Sequence, residues 1–222
     1  MFTGFTAETR EFLMAISFNN NREFFHENHD WYKRAVRGPL LELASELSET
    51  IEEIDPELER RPERTVSRIN RDLRFSRDKS PYRDYMWIGF HRLDNKGGFP
   101  GFYVDLSAER MGYGMGFWED NKSLMEAFRQ RLLNRPGEFS DIVRKAVSGR
   151  QLGLRAYRRM AVPEGVSPEE RPWYPVRSFV ISGEIEEDAL IQSPRLVEFL
   201  KREYMGMAPL YRYFSGLNPA KE

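Results

Sequence analysis

The sequence predicts an α+β fold: a single domain in which a central, mainly antiparallel sheet carries helices from both ends of the chain. Three observations lead there. Apolar residues recur at helical spacing near both termini, as Leu40, Leu43, Leu47, Ile51 and Ile54 early and Leu196, Val197 and Leu200 late. Strand-like stretches cluster in the middle, and two of them alternate as a hairpin would. At 222 residues with 40% hydrophobic composition, the chain can bury a core without a disulfide or metal staple. No repeat and no linker-like stretch divides it.

The first helix is expected over residues 6–18, capped by Thr6, with Phe12, Leu13 and Ile16 inward. Asn20 and Glu23 have capping-box spacing, which starts a second helix with Phe24, Trp31, Tyr32 and Ala35 on its inner face. Gly38-Pro39 either separates two helices or kinks one. The outer face beyond it, Glu42, Glu46, Glu49, Glu52 and Glu53, reads as solvated. A short strand is expected over 64–69, a strand over 85–90 and a turn over 94–98.

Residues 102–107 and 112–117 both alternate. A loop through 108–111 pairs Ser107 with Gly112, Asp105 with Gly114 and Tyr103 with Gly116, and Leu106, Val104 and Phe102 with Tyr113, Met115 and Phe117. One face is then bulky and apolar; the other sets Ser107, Asp105 and Tyr103 against three glycines. A slip of one residue would scramble this division. Glycines at alternate strand positions mean that something lies close above them: the Tyr103 ring or a packed helix, which we prefer, or a ligand. Further on, Asp120 is expected to cap a helix carrying Leu124, Phe128 and Leu132. Pro136 opens another with Phe139, Ile142, Val143 and Ala146, ending at Gly149. Residues 155–175 hold four prolines and no period, as in a long loop. A strand is expected over 177–182, a helix from Ser193-Pro194, and a last short helix from Pro209.

Composition excludes whole classes of chemistry. With no cysteine there is no thiolate nucleophile, thiolate metal site or disulfide framework. The N-terminus lacks a basic stretch followed by an apolar run, and no segment approaches the ~20 apolar residues of a membrane span. A cytoplasmic location is the expectation, with no membrane partner. A formal net charge of −1 gives no global attraction to nucleic acid, and the aromatic residues are not interleaved with a basic stripe, so no nucleic-acid partner is expected. Oligomeric state is not legible.

The most distinctive stretch is residues 68–83, RINRDLRFSRDKSPYR. Arg68, Arg71, Arg74 and Arg77 recur every three residues, and Lys79 and Arg83 follow. Guanidinium forks suit phosphate and carboxylate. Ser80-Pro81 has the composition of a helix start, whose free N–H groups attract anions. The first reading is therefore an anion-binding cradle of Arg68, Arg71, Arg74, Lys79 and Arg83. Asp72, Asp78, Ser80 and Asp105 would support it, with Tyr82 and Tyr103 as walls; the ligand would be a small phosphate- or carboxylate-bearing molecule. The second reading is that the same arginines pair with Asp72 and Asp78 as internal ties of a structural or interaction module.

Three stretches carry a resemblance: Asn20-Asn-Arg-Glu-Phe-Phe25, the run over 68–83, and Gly114-Met-Gly-Phe-Trp118, in that order. Together they resemble the motifs of the microbial family catalogued as domain of unknown function 2461, and Pro163-Glu-Gly165 and Arg177-Ser-Phe179 echo later ones. The resemblance spans nearly the whole chain and implies one domain; it brings no activity, substrate, cofactor or catalytic residue.

Other constellations are weaker. His26 and His29, three apart near Glu23 and Asp30, lack the further ligands a metal would need, so no metal and no cofactor is expected. Asp78-Lys79 lacks the spacer and the acidic partner strand of a metal nuclease, which leaves a metal-dependent phosphoesterase as a third class. No phosphate-binding glycine loop and no Ser–His–Asp set is visible.

Overall fold

The computed structural model describes residues 1–74, 77–93 and 97–217. The chain opens with α1 (Ala7–Phe18), α2 (Arg22–Glu27) and α3 (His29–Tyr32), then a π-turn over Lys33–Arg37 that runs into α4 (Gly38–Ile54) and a short α5 (Pro62–Thr65). Strands β1 (Tyr85–Phe90), β2 (Gly101–Ser107) and β3 (Met111–Phe117) follow, then α6 (Lys122–Asn134), α7 (Glu138–Val147) and β4 (Gln151–Ala156). A 3-10 turn at Arg171–Trp173 leads to β5 (Val176–Ile185), α8 (Asp188–Ile191) and the long α9 (Arg195–Ser215). The sheet is antiparallel throughout, in the order β1-β2-β3-β5-β4. The α+β expectation holds.

The helical stripes do what their spacing implies. Phe12, Leu13 and Ile16 of α1, Leu40, Leu43, Leu47, Ile51 and Ile54 of α4, and Leu196, Val197 and Leu200 of α9 are buried. They join Met86, Ile88 and Phe90, Phe102, Val104 and Leu106, and Met115 and Phe117 from the apolar face of the sheet in one continuous core. Gly38-Pro39 neither breaks nor separates the helix. The five-residue π-turn before it absorbs the irregularity, and Pro39 sits in the first turn of α4, where no N–H is needed.

Several boundaries differ from expectation, each for a local reason. Asn21 rather than Asn20 caps α2, accepting from Phe24 N at 2.9 Å; Asn20 is committed to a distant backbone. Residues 64–69 form no strand: Pro62 starts α5, and only Val66 bridges to Ile88. Asn121 caps α6, because Asp120 is ion-paired with Arg177. Pro136 lies outside α7, which begins after Gly137 at φ +88°. Pro209 starts no new helix but lies inside α9. β4 and α8 were not foreseen. Of the expected 94–98 turn, Gly97 and Gly98 turn; 94–96 lie outside the described residues.

The hairpin register is displaced by two residues. Leu106 pairs with Met111, Asp105 with Gly112, Tyr103 with Gly114 and Gly101 with Gly116. A shift of two preserves both faces, so the alternation could not detect it. The loop decides it. Ser107 N donates to Arg110 O at 2.9 Å, and Ser107 Oγ accepts from the N–H groups of Glu109 and Arg110, each at 3.2 Å, so the turn closes over two residues, Ala108 and Glu109, not four.

Tyr204 lies in the core with no exposure, against the rings of Phe90 and Phe102, and its hydroxyl has no hydrogen-bond partner among the described residues. An unmet buried hydroxyl costs about 1–3 kcal/mol. Tyr204→Phe is therefore expected to leave thermal stability unchanged or raise it; a clear fall in melting temperature would show that the hydroxyl has a partner.

Candidate functional site

The charged segment is a loop closed at its base. Asn70 bridges Tyr82, Arg71 N donates to Pro81 O at 2.9 Å, and Arg83 N donates to Ile69 O at 2.7 Å. Asn20 clamps the base, its side chain donating to Tyr82 O at 3.0 Å and accepting from Tyr82 N at 2.9 Å; the Tyr82 ring stacks on Phe25. No helix starts at Ser80-Pro81. The Ser80 N–H and hydroxyl both donate to Asp78 Oδ1, at 2.9 and 2.6 Å, forming a turn on the aspartate instead of a cap. The anion-binding helix start expected there is absent.

The basic side chains do not converge on open space. Arg74 grips Asp72 through Nε and Nη2, and this holds the Asp72 carboxyl at about 2. Arg71 pairs with Asp78 and, at 3.5 Å, with Asp84. Lys79 donates to Leu73 O at 3.0 Å. Arg83 donates to the carbonyls of Arg68 and Asn70, both at 2.5 Å, and lies over the Trp87 ring. Arg68 is exposed and makes no ion pair among the described residues.

Tyr103 and Asp105 lie elsewhere, on the face of the sheet opposite the apolar core. Across it Trp87, Asp105, Gly112 and Glu184 form one row, and Gly89, Tyr103, Gly114 and Ser182 the next. A Cβ on Gly114 would come within 2.9 Å of the Tyr103 ring, so the tyrosine covers that glycine. Burial first, then the Asp105 charge, push the Tyr103 phenol up to about 12. Gly112 is overlain by the Asp105 carboxylate and the Arg110 guanidinium, each 2.8 Å from where its Cβ would stand. With no side chain between them, Asp105 and Glu184 face each other across β3.

A cavity of about 330 Å³ opens at this end of the sheet, between the C-terminal half of α1 and the β2–β3 loop. Asp105 and Ser107 line it from β2, Asp84 and Tyr85 from β1 and its approach, Arg110 from the loop, and Ser17 from α1. Asp105 is only 19% exposed, and its one ion partner among the described residues, Arg110 at 2.9 Å, is 53% exposed. Burial raises the Asp105 carboxyl above the ordinary aspartate range; Arg110 opposes that rise and Glu184 adds to it. Tyr85, 44% exposed, stacks on Trp87 and presents its ring at the cavity. Arg71 joins the two regions through Asp84.

All the residues singled out, in the loop and in the cavity, fall within residues 8–213, which match the family model described as Conserved hypothetical protein (DUF2461). The chain belongs to this family. No curated protein and no solved structure matches the chain. Among the described residues of this DUF2461 domain, no three His, Asp or Glu side chains are grouped to hold a metal ion. No helix there is long and apolar enough to cross a membrane. Of the polar cavity residues of this DUF2461 chain, sequence reasoning placed Asp105 and Ser107 on the glycine-opposed face and named only Asp105 for the site. Ser17, Asp84, Tyr85 and Arg110 carry no local signal.

A carboxyl whose folded-state pKa is raised destabilises the fold once ionised: below the unfolded value near 3.9 it costs nothing, and the cost is complete above the folded value. Asp105→Asn is therefore expected to raise the melting temperature at pH 7 and to give no gain below about pH 3.9. Melting curves at both pH values check this.

Proposed function

We propose that this domain binds a small organic cation, an amine or guanidinium, in the cavity between α1 and the β2–β3 loop. The observation that carries the reading is Asp105: a largely buried carboxylate lining the cavity whose single ion partner among the described residues is a half-exposed arginine. A desolvated carboxylate paired with a specific charge in a cleft has the features of a binding or catalytic group. The surroundings favour positive charge, since Asp84 and Glu109 add carboxylates and Tyr85 offers an aromatic face to a cation.

A second reading follows from Arg68. Like Arg77, it is exposed and makes no ion pair among the described residues, and it stands beside Arg83. These two support recognition of a phosphate or carboxylate at the base of the loop.

One experiment separates the readings. Melting temperatures are measured with putrescine and agmatine, and with inorganic phosphate and citrate, for the wild type, Asp105→Asn and Arg68→Ala. The cation reading expects stabilisation by the amines that disappears in Asp105→Asn. Stabilisation by phosphate or citrate alone, lost in Arg68→Ala, would replace it with the anion reading. No shift with any of the four compounds would sink both.

A further inference from the structure

We infer that Arg110 is an internal occupant of the cation site, a side chain that holds the place of the ligand until the ligand displaces it. The inference rests on the cation reading above and concerns how that site is regulated.

The geometry is that of a tethered stand-in. The Arg110 guanidinium lies over Gly112 and meets Asp105 at 2.9 Å, at the mouth of the cavity. A guanidinium is itself the chemistry the site would recognise. Its backbone is fixed: Ser107 and Arg110 close the turn through the Ser107 N–H donating to Arg110 O, and the Ser107 hydroxyl accepts the Arg110 N–H. The side chain is not fixed in this way. It is 53% exposed, and its one ion pair among the described residues is with Asp105. Swinging outward would thus free the carboxylate without moving the sheet or the loop. Gly112 is what allows the inward position, because any side chain there would collide with both charged groups.

An occupant lowers apparent affinity by the fraction of time the site is closed. A half-exposed ion pair is worth up to about 1 kcal/mol, so removing Arg110 should tighten binding by roughly fivefold. A residue that helps hold the ligand would do the opposite.

The test is calorimetric titration of agmatine and putrescine into the wild type, Arg110→Ala, Arg110→Gln and Asp105→Asn. Arg110→Gln keeps length and polarity while removing the charge. The expected result is a roughly fivefold lower Kd in both Arg110 variants, and no binding in Asp105→Asn. If the wild type binds in an Asp105-dependent way but the Arg110 variants bind equally or more weakly, the occupant idea is overturned and the cation reading stands. If neither the wild type nor the Arg110 variants bind either amine, both are overturned.

Discussion

Replacing Arg92 with methionine is expected to cost about 3–5 kcal/mol, because it strands a buried carboxylate. The Arg92 side chain is 2% exposed and that of Asp55 9%. Arg92 Nη2 donates to Asp55 Oδ2 at 2.5 Å and to Ser215 Oγ at 2.9 Å; the Tyr211 hydroxyl donates to the same carboxylate oxygen at 2.6 Å. The Phe99 ring packs against the guanidinium. These contacts tie the end of α4, the segment after β1 and the last turns of α9 to one point. Burial works against the Asp55 charge, but the hydrogen bonds from Tyr211 and Arg92 prevail and hold its pKa below the ordinary range. In the wild type this group's contribution is present above about pH 3.9 and is lost as pH falls through the depressed folded value. Without Arg92 the sign reverses, so the deficit of the variant should shrink on acidification. Urea denaturation at pH 7 and pH 4 measures it. A second substitution, Asp55→Leu, should recover much of the loss, since it removes the buried carboxylate, while Glu57, the other acidic partner of Arg92 at 3.0 Å, is half exposed. A deficit that stays constant with pH would rule out Asp55 as its source.

The second large effect is expected at Glu170, which has no exposure. Its carboxylate accepts from the backbone N–H groups of Gly137, Phe139 and Ser140 at 2.9, 2.9 and 3.1 Å, and from the Ser167 hydroxyl at 2.8 Å. A side chain from the proline-rich stretch thus satisfies the free N–H groups at the start of α7, placing negative charge where a helix start favours it. Glu170→Ala leaves three N–H groups without that acceptor, and a loss of at least about 3 kcal/mol is expected. Glu170→Gln should also be costly, because one carboxylate oxygen becomes an NH2 facing donors. Denaturation curves read the loss, and hydrogen exchange at Phe139 and Ser140 places it. Full tolerance of glutamine would show that the negative charge does not matter there.

Much of the fold was legible because the sheet and helices obey simple periods. The strand over 85–90 follows from its β-rich composition, and the glycine-opposed face of β2 and β3 from alternation. The exact register did not, since two registers two residues apart bury the same side chains. β4 went unseen because it is exposed along its length and offers only Leu152 and Leu154 around Gly153, with no β-branched residue. The helix start at Ser80-Pro81 had the right residue types, but Asp78 and the Asn20 clamp on Tyr82 make competing bonds. Asp105 and Tyr103 were legible through the glycines opposite them. Arg110 was not, because the register places it over Gly112. Nor was the Arg92–Asp55–Tyr211 tie, whose members are separated by tens of residues.

The strand order has a consequence for the growing chain. β4 is made before β5, yet β5 lies between β4 and β3 in the sheet. Until residues 176–185 have been synthesised, β4 has no neighbour to pair with, and Leu152 and Leu154 wait on an unpaired backbone. The β1–β3 meander can assemble from adjacent segments meanwhile. A chain arrested before Val176 would therefore present a three-stranded sheet and a loose, sticky strand, the kind of half-made product that chaperones hold.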